Sequence, residues 1–206
     1  TSIKRIRYTT SHPRDLDDET IEAMALGGNI MPHLHLPVQS GNNTVLKRMN
    51  RKYTKEEYLE KINKLKKAIP DISFTTDIIV AFPGETEEQF LDTVELVKEV
   101  GYDGAFTFIY SPREGTPAAK YENLLTEEQK HKRLEYLNEF VNNGALEGHK
   151  KYEGKIVEVL IEGPSKNNKD MLTGYTKQNM LVNFPDESGD YKVGDLVDVK
   201  VTKAFS

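Results

Sequence analysis

Four polar segments carry the residue types from which a ligand site is built. They are Ser11-His12-Pro13-Arg14, Pro37-Val38-Gln39-Ser40-Gly41, Phe82-Pro83-Gly84-Glu85-Thr86 and Tyr110-Ser111-Pro112-Arg113-Glu114-Gly115. Each follows an apolar, β-like run and joins Gly or Pro to side chains able to hydrogen-bond a ligand. Pro-Gly and Ser-Gly are ordinary turn signals, so one such segment says little; four converging on one rim point to a ligand site. His33 and His35 lie two apart on a strand. They either bind a zinc- or manganese-like ion or are hydrogen-bonded core or rim residues, and the lack of a further ligand at suitable spacing favours the second reading. Asp77, inside the most apolar run, reads as a buried, paired carboxylate, with a catalytic base as the alternative. The Pro83-Gly84-Glu85-Thr86 turn opens a helix, and its N–H groups suit either an anion or simple capping. Tyr175, Lys177 and Asn179 alternate on one strand face, where an aromatic, a cation and an amide would stack on and hydrogen-bond a base. The densest basic cluster, Lys47, Arg48, Arg51 and Lys52, reads as a solvated helix face.

The elements that must position these residues alternate. A strand is predicted over Ile3–Thr9, then a helix over Leu16–Leu26 capped by Asp15 or Asp17 and ended by Gly27-Gly28. His33–Val38 reads as the next strand and Asn42–Asn50 as a short helix or turn. Thr54 and Glu57 form a capping box before a helix whose apolar face is Tyr58, Ile62, Leu65 and Ile69. Ile72–Phe82 reads as a parallel strand covered on both faces. Thr86 with Gln89 opens the next helix, with Phe90, Val94 and Val97 inward and Gly101 at its end. Ala105–Tyr110 is the fourth strand, and Thr126 with Gln129 opens a last helix reaching about Tyr152. This alternation implies an α/β fold with four βα units and a parallel sheet, too short for a closed eightfold barrel.

The hydrophobic period changes after Gly148. Val157, Val159 and Ile161 alternate against Glu158 and Glu162, Val197, Val199 and Val201 repeat the pattern, and Leu172–Phe184 reads as a long strand or hairpin. Turns at Gly163-Pro164-Ser165-Lys166-Asn167-Asn168 and Glu187-Ser188-Gly189-Asp190 complete a small all-β barrel. Two domains are therefore expected, 1–149 and 150–206.

The chain has 206 residues, 28 basic and 33 acidic side chains, a net charge of −5 and no cysteine. That charge argues against a uniformly basic nucleic-acid binder. No apolar run approaches the ~20 residues of a membrane span, and the polar start is unlike a signal peptide; a cytoplasmic location is expected. Without cysteine this chain makes no disulfide, thiolate zinc site, thiol nucleophile or cysteine-held iron–sulfur cluster. It opens Thr-Ser-Ile-Lys, without Met, inside a predicted strand, so a cut from a longer protein is expected.

Five stretches, in this order, resemble the methylthiotransferases of tRNA within the radical SAM enzymes: residues 7–15, 35–42, 45–54, 75–86 and 108–119. They read RYTTSHPRD, HLPVQSGN, VLKRMNRKYT, TTDIIVAFPGET and FIYSPREGTPAA. The tail is similar to the OB-like TRAM barrel, an RNA-binding module, and TTSHPRD favours the branch acting on isopentenyladenosine. The resemblance implies the C-terminal part of a radical SAM (βα) barrel followed by TRAM. It also implies S-adenosylmethionine and two 4Fe-4S clusters in the parent protein, with none bound tightly here, and the tRNA anticodon region as partner. The adenosyl radical of such enzymes takes hydrogen from adenine C2, and a second cluster supplies sulfur. The cluster cysteines would precede Thr1, so this chain is expected to be inactive alone, with no catalytic residue of its own, and its open sheet edge to self-associate.

By position, the resemblance assigns the cofactor to Gln39, Ser40, Ile79, Phe82, Pro83, Gly84, Glu85, Tyr110, Ser111 and Arg113. It assigns the substrate to His12, Arg14, Tyr175, Lys177 and Asn179. Ala81 stands where the family usually has Gly, and Tyr175 where Arg is common. Three alternatives stand beside this reading. They are a methylthiotransferase acting on threonylcarbamoyladenosine, a metal-dependent hydrolase using His33 and His35, and a stand-alone RNA-binding module.

Overall fold

A computed structural model describes residues 3–10, 12–166, 168–186 and 189–205. Ser11 of the first rim segment, and Asn167, Glu187 and Ser188 of the two predicted turns, lie outside the described residues. Three parallel strands form the first sheet in the order β1 (His33–His35), β2 (Ser73–Val80), β3 (Gly104–Ile109). His33 pairs with Ser73, and Thr75 with Gly104. The predicted first strand is reduced to two bridges, Ile6 to Ile30 and Thr9 to His35. The reason lies in its partner: β1 is hemmed by Pro32 and Pro37, which lack the N–H a ladder needs.

The helices begin where the caps predict. Asp17 caps α1 (Asp18–Ala25) and Asn42 caps the short α2 (Asn43–Arg48). Reciprocal capping boxes open α3 (Lys55–Ala68), α4 (Glu87–Val100) and α5 (Glu127–Lys150). Leu34, Phe74, Thr76, Ile78 and Val80 face these helices in one core with Leu36, Tyr58, Leu65, Phe90, Tyr102 and Leu137. Each such apolar side chain contributes roughly 1.5–3 kcal/mol by leaving water. The two buried tyrosines stay satisfied: Tyr102 donates to the Tyr58 oxygen at 2.9 Å, and Tyr58 to the Leu36 carbonyl at 2.9 Å.

The opposite, concave face is where the structure departs from a strand covered on both sides. There Asp77 and Ile79 are half-buried, and Phe106 and Phe108 are 61% and 51% exposed. Three strands cannot close on themselves, so the helices cover only the outer face.

The second sheet is antiparallel, in the order β6 (Leu181–Pro185), β5 (Met171–Tyr175), β4 (Ile156–Pro164), β7 (Leu196–Lys200). It curls over Val159, Ile161 and Phe184. The long strand expected at Leu172–Phe184 is the β5–β6 hairpin. Its turn packs on the first sheet: Arg5 donates to the Tyr175 carbonyl at 2.6 Å and to the Glu158 carboxylate at 2.9 Å, Arg7 to the Thr176 and Lys177 carbonyls, and Ser73 Oγ to the Gln178 carbonyl.

Candidate functional site

The C-terminal ends of β2 and β3 open into a cleft of about 1230 Å³. Ile79, Phe82, Phe108, Ile109 and Tyr121 supply its apolar wall, and Gln39, Asp77, Tyr110 and Ser111 its polar groups. Lys47, Arg48, Arg51 and Arg113 also line it. A volume of this size exceeds that of common small-ligand pockets and suits a nucleoside-sized ligand with room beside it.

Backbone strain positions two of these groups. Gln39 pairs with Ile78, whose side chain faces the helices, but its left-handed backbone (φ 71) takes it out of the strand alternation at the cleft edge. Gly41, two residues on, lies so close to α4 that a Cβ would sit 2.6 Å from the Asp92 carbonyl oxygen and the Thr93 Cα. Its N–H donates to Thr93 Oγ1 at 2.9 Å. Ala81 is also left-handed (φ 58) and fully buried, a conformation that costs a non-glycine residue about 1–2 kcal/mol. Both of its peptide groups are tied down: its N–H donates to Glu85 Oε2 at 2.8 Å, and its carbonyl accepts from Asn123 Nδ2 at 2.9 Å. Backbone conformation, more than bulk, is what makes glycine suit this position.

Glu85 is the buried anchor of the turn, its side chain 1% exposed and paired with Arg133 at 3.0 Å. Burial pushes its carboxyl up to about 7, against the pull of the Ala81 N–H and the Arg133 guanidinium. Arg133 also reaches Glu87 at 3.0 Å. The turn seats Phe82, which meets the ring of Tyr110 edge-on at 5.0 Å. The Arg48 guanidinium lies 5.8 Å from Phe82 and 5.5 Å from Tyr121. Gly84 permits this, since a Cβ there would stand 2.5 Å from Arg48 Nη1. The Tyr110 hydroxyl is buried without a partner, so a polar ligand atom in the cleft would satisfy it.

The assigned residues therefore divide. Gln39, Ile79, Phe82, Tyr110, Ser111 and Arg113 come together in the cleft. Ser40 instead contacts Thr93 and the Asn42 N–H, and Pro83, Gly84 and Glu85 support the wall from behind. His12 caps a short 3-10 turn (Pro13–Asp15) and meets the Tyr53 ring edge-on, while Arg14 pairs with Asp15 on the surface. Tyr175, Lys177 and Asn179 do not share a strand face. β5 ends at Tyr175, and Thr176 closes a tight turn in which Asn179 is left-handed (φ 67), so the alternation stops.

His33 and His35 converge on one hydroxyl, Thr75 Oγ1, at 3.2 and 3.0 Å. His35 Nε2 also lies 3.5 Å from Asp77 Oδ1, so Asp77 is half-buried and paired. Burial, with Arg7 nearby, holds His33 down to about 4. Among the described residues no group of three His, Asp or Glu side chains is placed to hold a metal. Sequence reasoning missed the Lys47–Arg51 cluster as cleft lining, because charge spacing alone does not say what a short helix faces. The exposed Phe106 and Phe108 were legible as two aromatics on one face of a strand.

Residues 1–97 match the radical SAM superfamily model, and 150–205 the TRAM domain model. Residues 1–97 are a radical SAM segment. Its radical SAM and TRAM parts together are 58% identical over 202 residues to a protein of Bacillus cytotoxicus named tRNA-2-methylthio-N(6)-dimethylallyladenosine synthase. A protein of the same name from Anoxybacillus flavithermus is 57% identical. Both matches cover 98% of this chain, which spans about two fifths of those relatives' length, 39% and 38%. The radical SAM fold also matches a solved structure of Escherichia coli coproporphyrinogen III oxidase, HemN. The TM-score is 0.56 and the identity 18%, over 84% of this chain and 46% of that one. No helix among the described residues is long and apolar enough to cross a membrane.

Proposed function

We propose that this chain forms the cofactor cleft and the RNA-binding end of a cytoplasmic tRNA methylthiotransferase acting on N6-dimethylallyladenosine beside the anticodon. The observation that carries this reading is the 57–58% identity, over 98% of the chain, to relatives named for that reaction. The cleft supports it by chemistry. An adenine fits against Ile79 and Phe82, a ribose or amino acid fits the amide of Gln39, and the orphan Tyr110 hydroxyl is free to bond a ligand atom. When bound, S-adenosylmethionine would supply the hydrogen-abstracting group and the methyl donor. The chain's own part is to hold that cofactor, keep water from its adenine and orient it toward the base. Having no cysteine, the chain offers an iron–sulfur cluster no thiolate.

The test is a graft. The sequence of this chain replaces the equivalent segment of the Bacillus cytotoxicus relative, and tRNA from a host lacking the activity is digested and analysed by nucleoside mass spectrometry. Recovery of the methylthio mark on dimethylallyladenosine is expected. A well-folded graft that marks threonylcarbamoyladenosine instead, or no tRNA, would overturn the reading.

A further inference from the structure

We propose that Lys47 and Arg51, at the cleft mouth, hold phosphodiester groups of the RNA strand whose base enters the cleft. This rests on the reading above. The chain is acidic overall, with a net charge of −5, yet four cations line this cleft. Among the described residues, no carboxylate lies within 4.0 Å of any of them. Asp77, the only acidic residue among the described residues lining the cleft, is engaged by His35 at 3.5 Å. The cations are not equivalent: Arg48 is engaged by Phe82 and Tyr121, while Lys47 is exposed and Arg51 partly so.

Lys47 and Arg51 are also built into place. Arg51 N–H donates to the Leu46 carbonyl at 2.9 Å and Asn50 N–H to the Lys47 carbonyl at 3.0 Å, with Asn50 left-handed (φ 60). That is a Schellman ending with Asn at its left-handed position. It fixes Arg51 beside Lys47 at a helix C-terminus, where cations are favoured.

Geometry supplies the need for them. The TRAM turn docks at Ser73, the start of β2, whereas the cleft opens along the last residues of that strand, from Asp77 on, and past its end. At ~3.3 Å per residue the run from Ser73 to the strand's end at Val80 is about 23 Å. It is roughly seven nucleotides of stacked strand at ~3.4 Å each. An RNA held only at that turn would swing freely at the cleft. A charged contact at the mouth, with Phe108 exposed on the adjoining wall as a stacking surface, would bring the base in.

The experiment measures fluorescence anisotropy of a labelled anticodon stem-loop RNA with the whole chain across a salt series. It compares Lys47→Ala/Arg51→Ala with Lys64→Ala/Lys132→Ala, which removes the same charge elsewhere. Loss of two single-strand phosphate contacts should lower the slope of log affinity against log salt by about 1.4 in the mouth variant only. Lys47→Arg/Arg51→Lys should keep the native slope, which separates charge from misfolding. S-adenosylhomocysteine affinity, read by calorimetry, should stay within about twofold. Equal slopes for the two Ala variants would overturn the inference while native RNA binding leaves the parent reading standing. Loss confined to S-adenosylhomocysteine would also overturn it, by assigning the pair to the cofactor carboxylate. A native chain that binds neither ligand would count against both.

Discussion

Replacing Glu85 by glutamine separates the two forces acting on the turn beneath the cleft. The folded carboxyl titrates at about 7, against an ordinary value of 4.5, because burial outweighs Arg133 and the Ala81 N–H. A raised carboxyl means that the folded state binds more protons than the unfolded chain between those values. The contribution of Glu85 to stability is then highest below about pH 4.5, falls as pH rises and levels off above about pH 7. At ~1.4 kcal/mol per pH unit the total is about 3 kcal/mol. The substituted side chain would not titrate, yet its amide oxygen can still accept from Ala81 and Arg133. At any one pH the offset between the two proteins mixes a lost ion pair with a relieved desolvation penalty, but its pH dependence isolates the titration. Urea denaturation at half-unit steps from pH 4.5 to 8 gives that difference, with other groups cancelling. The stability of the native chain relative to Glu85→Gln should fall by about 3 kcal/mol up to pH 7 and then stay level. A relative stability that rises with pH would show that Arg133 wins over burial and would refute the reasoning.

Two further outcomes follow from geometry. Gly41→Ala places a Cβ against the backbone of α4, which cannot rotate away, and should destabilise by about 1–3 kcal/mol in thermal denaturation; an unchanged midpoint would mean that Gly41 and α4 are not in contact. Arg5→Ala/Arg7→Ala removes the donors to the carbonyls of residues 175–177. Hydrogen exchange should accelerate at the 176–180 turn and in β5 while α3 and α4 stay protected; an unchanged pattern would show that the two sheets are held together by other contacts.

Much of the fold was legible because its signals are local. Three capping boxes marked helix starts, since Ser/Thr and Glu/Gln three apart answer the unpaired N–H groups of a first turn. The switch from helical to alternating period after Gly148 marked the change to strands. What failed did so for non-local reasons. Ile3–Thr9 has the composition of a strand, but it meets the chain opposite at two isolated bridges, Ile30 and His35, around a three-residue strand between prolines. Tyr175, Lys177 and Asn179 alternate perfectly on paper, yet the tight turn at Thr176 reverses the chain before the second of them. The candidate site was half legible: Gln39, Phe82 and Tyr110 follow from being at strand ends, where side chains of a parallel sheet open to ligands, whereas Ile79 came from the resemblance alone.

The sequence by itself determined the order of elements, the family resemblance and the absence of thiolate chemistry in this chain, because each is a matter of residue type and short spacing. Only the tertiary structure decided which residues support the cleft wall and which face the cleft. Glu85 and Phe82 stand three apart in one motif, but Arg133, from a helix nearly fifty residues later, draws the first inward and leaves the second in the cleft. The same holds for Lys47 and Arg51: their charge was plain, but its meaning depended on the cleft that β2 and β3, distant in the chain, open beside them.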